Sequence, residues 1–579
     1  MKTRFYWKFV LIFIFSTNIS QAVSFNVSDL NIVNNLIKQY LQTKFNSSNP
    51  YKDQIAYVRK SPHLSLEEQA VVSKRLIVNN LALAKFLNMD SLDNKELRIG
   101  MCASGGGYRA TIGTLGSLLG AQEIGLLDCV TYIAGLSGST WAMAAWLSLN
   151  QKLSDTQYQI SKNMSENIHV CSNEGILNID HDQYSGIIKD LITKKVFDQP
   201  LCSVDLWGAA ILDNLFYPNE NRQNLKLSEQ VDVIKDGNVP FPIYTSIQPI
   251  SKLNYQWYEF TPYECGNIKE QSFVPTWAFG RQFENGKSLN NAPEQNLSFL
   301  LGIFGSAYDV TPEELCSKLS IEEKFKNFLN STFSFLPKVM LNKLIKLEEY
   351  LSDLKNEKLL YQNYCDDRFL PAQVSNINYL IQDTPCNDQQ NVVLMDAGID
   401  FNLPFPPLLR PERSLDVIIA LDYSSDIIGC PELMGAQSYA SKNALKFPAI
   451  NSVGVANNSL TVYGLETFPD NPIVIYMPRI NPIKTMTEDE IAKLIIKVDP
   501  KYIPLIETLR SFDYEACVNS LYCSTYNFAY SDEQINILSG VAYLNMIINK
   551  DVIADIFKLA LAKKYMPYFK MPTSTWICR

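Results

Sequence analysis

Between Leu97 and Leu149 short apolar runs alternate with longer helix-compatible ones, and each switch is marked by glycine and serine. The apolar run Leu97–Cys102 ends at Ser104-Gly105-Gly106-Gly107 and gives way to a helix-compatible stretch from Arg109 to Leu127. A second apolar run, Cys129–Ala134, meets Gly135-Leu136-Ser137-Gly138-Ser139, after which Thr140–Leu149 again reads as helix. Short apolar runs bounded by turn residues predict strands, and their alternation with helical patterns predicts a βαβα unit.

Elsewhere the pattern is less regular. Residues 23–90 are mostly helix-compatible, with a start signal at Ser65-Leu66-Glu67-Glu68 and a run to Leu87. A polar, partly helical region follows the βαβα unit to about Gly237, and strand patterns resume in Pro242–Ile250 and Gln256–Thr261. Thr311-Pro312-Glu313-Glu314 predicts a helix start, with helical sequence to about Leu360 broken near Pro337. Further strands are expected at Asn391–Met395, Leu415–Asp422 and Ile473–Met477, and capped helices from Thr487 and from Ser531. No repeat, low-complexity tract or linker divides the chain, which implies one α/β body.

Composition narrows the classes. The 579 residues are 46% hydrophobic and 19% charged, ample for a large core. A net charge of -9 gives no global basic field, so nucleic acid is not an expected partner and any membrane contact must be local and largely apolar. Lys2, Arg4 and Lys8, then the apolar Phe9–Phe15, then Ser20-Gln21-Ala22 read as a cleavable signal peptide over residues 1–22, which implies a secreted, lumenal or periplasmic address. After it there is no run of about 20 uninterrupted apolar residues. Twelve cysteines permit several disulfides in an exported protein, and their spacing gives no zinc signature. Sequons stand at Asn26, Asn46, Asn163, Asn296, Asn330 and Asn457.

Chemistry concentrates at the two glycine-rich turns. A serine on a sharp strand-to-helix corner exposes its Oγ, which makes Ser137 the candidate nucleophile, although Ser139 stands where G-x-S-x-G has its last glycine. Gly105 and Gly106, at an expected helix start, offer unshielded N–H groups suited to an oxyanion hole. Arg109, on the first turn of the same helix, is the candidate ligand for a substrate phosphate. No Gly-Lys-Ser/Thr follows, so a nucleotide P-loop is not expected. Asp396 ends an apolar run, and Gly398 lets the chain turn away from it. The three histidines, His63, His169 and His181, all precede Asp396, so a Ser…Asp…His order is excluded with Ser137 as nucleophile. His169 and His181 fall in the polar region and read as surface or cap residues.

Ser104-Gly-Gly-Gly-Tyr-Arg-Ala110 followed by Gly135-Leu-Ser-Gly-Ser139 resembles the catalytic domain of the cytosolic phospholipase A2 and fungal phospholipase B (lysophospholipase) family. Trp257–Glu264, Phe279-Gly280, Gly302–Ala307, Asp396–Pro404 and the stretch around Tyr526–Gln534 extend the resemblance over about residues 90–560. It implies a patatin-like central mixed β-sheet flanked by helices, with a largely helical cap. The expected organisation is a signal peptide, a helical segment 23–90, and a catalytic domain 91–579 with cap insertions at about 150–240 and 286–360. The resemblance also implies a Ser137–Asp396 dyad that cleaves acyl esters of glycerophospholipids and lysophospholipids at a membrane or micelle surface. No cofactor, metal or obligate protein partner is expected. Residues 23–90 are too short for the calcium-dependent membrane module of cytosolic relatives, so calcium is not implied. A carboxylesterase or acyltransferase on esters without phosphate, and a non-catalytic lipid-binding protein, are the alternatives.

Overall fold

The computed structural model describes residues 38–166, 181–307, 371–511 and 523–565, except 252, 428, 453–457, 526 and 528, with side chains of 181–188 left out. The leader, the helix start at Thr311 and the cap sequence from 308 to 360 lie outside the described residues, as do His169, Asn26, Asn330 and Asn457.

A ten-stranded sheet runs through the body. Its strands in chain order are β1 (Arg59–Lys60), β2 (Ile99–Ala103), β3 (Tyr132–Gly135), β4 (Phe241–Ser251), β5 (Asn254–Phe260), β6 (Glu264–Asn267), β7 (Ser272–Pro275), β8 (Val417–Asp422), β9 (Thr461–Tyr463) and β10 (Ile473–Pro478). Their spatial order is β1-β7-β6-β5-β4-β3-β2-β8-β10-β9. The middle strands β4, β3, β2, β8 and β10 are parallel, and the pairs toward both edges are antiparallel. Every residue of β2, β3, β8 and β10 is buried, the pattern of strands covered on both faces. Alternation divides them between two cores. Ile99, Met101, Ile133, Ile419 and Ile475 face one; Cys102, Tyr132, Ala134, Ile418 and Tyr476 face the other, with Phe401, Phe405 and Leu433.

The helices that matter for the site are α1 (Leu66–Phe86), α2 (Gly107–Glu123), α3 (Gly138–Leu149), α4 (Ser203–Phe216), α5 (Leu297–Phe304), α6 (Pro431–Lys442) and α7 (Asp532–Tyr565). Ser65 caps α1 by accepting from Glu68 N–H at 3.1 Å, and Ser531 caps α7 by accepting from Gln534 N–H at 3.3 Å, as the start signals predict. α2 lies along α7 because its glycines permit it: a Cβ on Gly116 would stand 2.2 Å from the Ser539 carbonyl oxygen. α7 is long and apolar enough to cross a membrane, with mean hydropathy 1.3, yet 78% of that window is buried inside the protein.

Three expectations are corrected. The segment 23–90 is not only helical: β1 extends the sheet beside β7, and Arg75 of α1 donates to the carbonyls of Leu127 and Val130 at 2.8 and 2.9 Å. The stretch about 150–240 is not wholly a cap, since every residue of α4 is buried, Asp205, Asp213 and Asn214 included, so the helix has no solvent face for an amphipathic stripe to mark. α5, inside the expected 286–360 insertion, is likewise core and packs on α4. Cys102, Cys129, Cys265, Cys386 and Cys430 are free thiols. Asn163 is buried with its amide donating to the carbonyls of Asn214 and Tyr217 at 2.9 and 2.7 Å, which leaves that sequon no access for a glycan.

Candidate active site

Ser137 stands at the corner between β3 and α3 with φ 52° and ψ −124°. Such a backbone costs a non-glycine residue about 1–3 kcal/mol, so its surroundings must impose it. Gly138 is one reason, because a Cβ there would lie 1.9 Å from the Gly107 carbonyl oxygen. Ser139 is another. Its hydroxyl donates to the Ala103 carbonyl at 2.7 Å and sits 2.9 Å from the Leu136 N–H that donates to it. The departure from G-x-S-x-G therefore staples the elbow to the end of β2, a role that side-chain type alone does not announce.

Asp396 reaches this corner from outside the ten-stranded sheet. Asn391–Leu394 is not in the main sheet: it pairs antiparallel with Ala372–Ser375. A bridge between Ile247 and Met395, with both N–H···O distances 2.9 Å, then fastens the chain to β4 just before Asp396. The carboxylate accepts from Gly398 N–H at 2.9 Å and is close enough to the Ser137 hydroxyl and the Ala307 N–H for both to favour its charged form. Asp396 N–H donates to Ser306 Oγ at 2.9 Å. Burial pushes the Asp396 carboxyl up to about 6, although the hydrogen bonds from Gly398, Ser137 and Ala307 favour its charged form. Ser306 and Ala307 were visible in the sequence only as glycine-flanked punctuation.

The glycine loop is arranged differently from expectation. Gly105 packs against the elbow, where a Cβ on it would meet Ser137 Cβ at 2.7 Å. Its N–H, however, is given to Asn402, to Oδ1 at 3.0 Å and to the carbonyl at 3.3 Å, and so is not available to an oxyanion. Gly106 precedes α2 with φ 135°, and Gly107 opens the helix with φ 59°. No described side chain caps this start, and the N–H groups of Gly106 and Gly107 are donors left over at a helix N-terminus. Gly107, which the sequence did not single out, thus joins Gly106 at the open helix start.

Arg109 is also corrected. It is only 2% exposed, and its guanidinium serves protein acceptors: Nε donates to the Tyr423 carbonyl at 2.7 Å, Nη1 to the Cys523 carbonyl and Nη2 to Thr525 Oγ1 at 3.3 Å. These partners come from the end of β8 and from a strand of chain ahead of α7. The arginine thus binds the glycine loop's helix to two distant segments, a structural task that the sequence did not announce. His63 is exposed, and the side chains of His169 and His181 are outside the described residues. A cavity of about 1140 Å³ lined by Tyr51, Lys194, Lys226, Trp277 and Phe299 includes neither Ser137 nor Asp396.

Comparison with known proteins bears on the family and the fold. Residues 99–436 match the family described as lysophospholipase catalytic domain. Cytosolic phospholipase A2 zeta of Homo sapiens is 31% identical over 462 residues, covering 72% of this chain and 53% of that protein. Cytosolic phospholipase A2 delta of Mus musculus is 28% identical over 475 residues, covering 73% and 55%. The chain spans about half the length of these curated relatives. Among solved structures, human GIVD cytosolic phospholipase A2 superposes with TM-score 0.65 at 22% identity, over 87% of this chain and 68% of that one. The same protein in complex with methyl gamma-linolenyl fluorophosphonate gives 0.62 at 24%, over 87% and 66%. At these identities the structures establish a shared patatin-like α/β fold.

Proposed function

The chain belongs to the lysophospholipase catalytic-domain family, and from that premise we propose that it hydrolyses acyl esters of glycerophospholipids and lysophospholipids through a Ser137–Asp396 dyad. The observation that carries the reading is a serine on a strained backbone corner beside a buried carboxylate, next to a glycine loop whose helix start has no side-chain cap among the described residues. Ser137 Oγ attacks the acyl carbonyl while Asp396 takes its proton. The N–H groups of Gly106 and Gly107 receive the charge that develops on the carbonyl oxygen, at the positive end of α2. Asp396 then returns the proton to the leaving alcohol, and water cleaves the acyl-serine by the reverse sequence. Base and anion donors come from the polypeptide, so these steps call for no calcium. Export through the 1–22 leader belongs to the same proposal; it rests on that segment's sequence, and recovered protein that begins at Met1 would contradict it.

The raised carboxyl gives the reading a pH signature. An ordinary Asp near 3.9 is a weak base for a hydroxyl, whereas one near 6 is better matched to the proton it must accept. The base works only when deprotonated, so kcat/KM should fall about tenfold per pH unit below an apparent pKa of about 6. Glu432, whose carboxyl burial and Asp422 push up to about 7, contacts Asn402 and not the hydroxyl. Glu432→Gln should therefore keep the acid limb; a limb that disappeared in this variant would assign the titration to Glu432.

Labelling by a lipid fluorophosphonate, with the modified residue mapped by mass spectrometry, tests the nucleophile. Modification at Ser137 is expected, and active protein labelled elsewhere would sink the proposal. One observation favours a second reading. Because Arg109 is committed to protein acceptors, the site as built resembles that of an ester hydrolase or acyltransferase indifferent to phosphate. Arg109→Lys loses the fork geometry and leaves buried carbonyls short of donors, each at about 1–3 kcal/mol. Turnover of phospholipid and of a neutral p-nitrophenyl ester should fall together, along with thermal stability. Loss confined to the phospholipid would restore a direct phosphate contact.

A further inference from the structure

Asn402 meets the glycine loop with its side-chain amide and its backbone carbonyl. Its Oδ1 and its carbonyl oxygen accept from Gly105 N–H at 3.0 and 3.3 Å, and its Nδ2 donates to the Gly105 carbonyl at 3.1 Å and to Ser424 Oγ at 2.8 Å. Its own N–H is held by the Glu432 carboxylate. One side-chain amide thus grips both polar groups of Gly105, a residue 297 positions away in sequence.

The peptide unit that follows makes this grip consequential. The Gly105 carbonyl and the Gly106 N–H belong to the same planar trans peptide, so they point in opposite directions. Fixing the carbonyl toward Asn402 Nδ2 fixes the Gly106 N–H away from it. Glycines on both sides give that peptide little resistance to rotation of its own, since it turns about ψ of Gly105 and φ of Gly106, neither restricted by a Cβ. A flipped peptide would present a carbonyl oxygen, and not an N–H, to the developing anion.

Resting on the hydrolase reading above, we propose that Asn402 is the positioning residue that orients the Gly106 N–H for the oxyanion. It lies on the same short stretch of chain as Asp396, and a Cβ on Gly398 would come within 3.0 Å of Asn402 Oδ1. The general base and the clamp on the anion donors are therefore set by one loop, which registers proton transfer and charge stabilisation against each other. Asn402 touches no reacting atom and acts through Gly105.

Asn402→Ala, and Asn402→Ser as the milder variant should the first fail to fold, test this with full-length protein. Folded variants should show kcat lower by about 10²–10³-fold, the range for loss of one oxyanion donor. KM should stay within about threefold, and the acid limb near 6 should not move, because the base is untouched. The rate of Ser137 modification by the fluorophosphonate should fall in parallel with kcat. Wild-type protein labelled at Ser137, together with folded variants of unimpaired kcat, would overturn the proposal and leave the hydrolase reading standing. A fall in kcat accompanied by a shifted acid limb would also overturn it, by placing the effect on Asp396. Wild-type protein that neither hydrolyses ester nor accepts the probe at Ser137 would overturn the hydrolase reading itself.

Discussion

Ser137→Ala and Asp396→Asn should each lower ester hydrolysis by about 10⁴-fold or more while the protein folds, and combining them should cost little further, because the two groups act as one unit. Removing either leaves no activated hydroxyl. The second substitution carries an additional, less obvious outcome. The buried Asp396 carboxyl is raised to about 6 from an ordinary value near 3.8, so its neutral form favours folding. That contribution is fully present below about pH 4 and is lost as pH rises through about 6; at pH 7 the ionised group costs up to about 3 kcal/mol. Asp396→Asn should therefore be more stable than wild type at pH 7, with the gap closing between about pH 6 and 4. Urea unfolding of both proteins across that range measures it. A variant less stable than wild type at pH 7 would show that the hydrogen bonds to the carboxylate outweigh its desolvation.

The second large effect concerns a buried ion cluster far from the chemistry. Arg413, fully buried, spans two carboxylates: its guanidinium reaches Glu68 at 2.9 and 3.1 Å and Glu259 at 2.7 and 3.0 Å, and also donates to the Pro407 carbonyl at 2.7 Å. Arg410 bonds Glu259 too. Desolvation would raise the Glu259 carboxyl, but the two guanidiniums outweigh it and hold the group below its usual range. Glu68 belongs to α1, Glu259 to β5 and the arginines to the chain entering β8, so the cluster fastens the N-terminal segment to the catalytic sheet. Glu259→Gln removes the carboxylate that two buried cations share, leaving Arg413 to Glu68 and Arg410 to the longer 3.8 Å contact with Glu412, and a loss of about 3–5 kcal/mol is expected. The exposed pair Lys38–Asp198 is the control, worth at most about 1 kcal/mol. Equal small losses at both sites in urea unfolding would mean that water reaches the cluster.

How much of this was legible follows from what sequence displays. The elbow, the glycine loop and the strands that carry them are local, and residue types at short spacing announced them. Ser137 and Asp396 could be singled out because each sits in its own turn context, and the structure brings the two side by side. The errors share a cause: a sequence shows donors but not the acceptors they meet. Three adjacent glycines look equivalent until Asn402 takes the N–H of the first. Arg109 looks available until Tyr423, 314 residues on, and Thr525, 416 residues on, accept from it. The second hydroxyl of the elbow, on Ser139, likewise looked like a defect in a motif until the end of β2 supplied its acceptor.

The close packing of α2 on α7 has a consequence for how the chain is made. Ser117 Oγ donates to the Ala542 carbonyl across 425 residues, and β8, which follows β2 by more than three hundred positions, is hydrogen-bonded to it. Contacts this distant in sequence cannot form until the later partner has left the ribosome. At about 5–20 residues per second, the helix behind the glycine loop waits roughly 20–85 s for its cover. During that interval the free side of β2 and the glycine face of α2 are exposed, and long-range sheet pairing is intrinsically slow even after synthesis ends. The packing around the glycine loop is thus complete only once α7 has emerged.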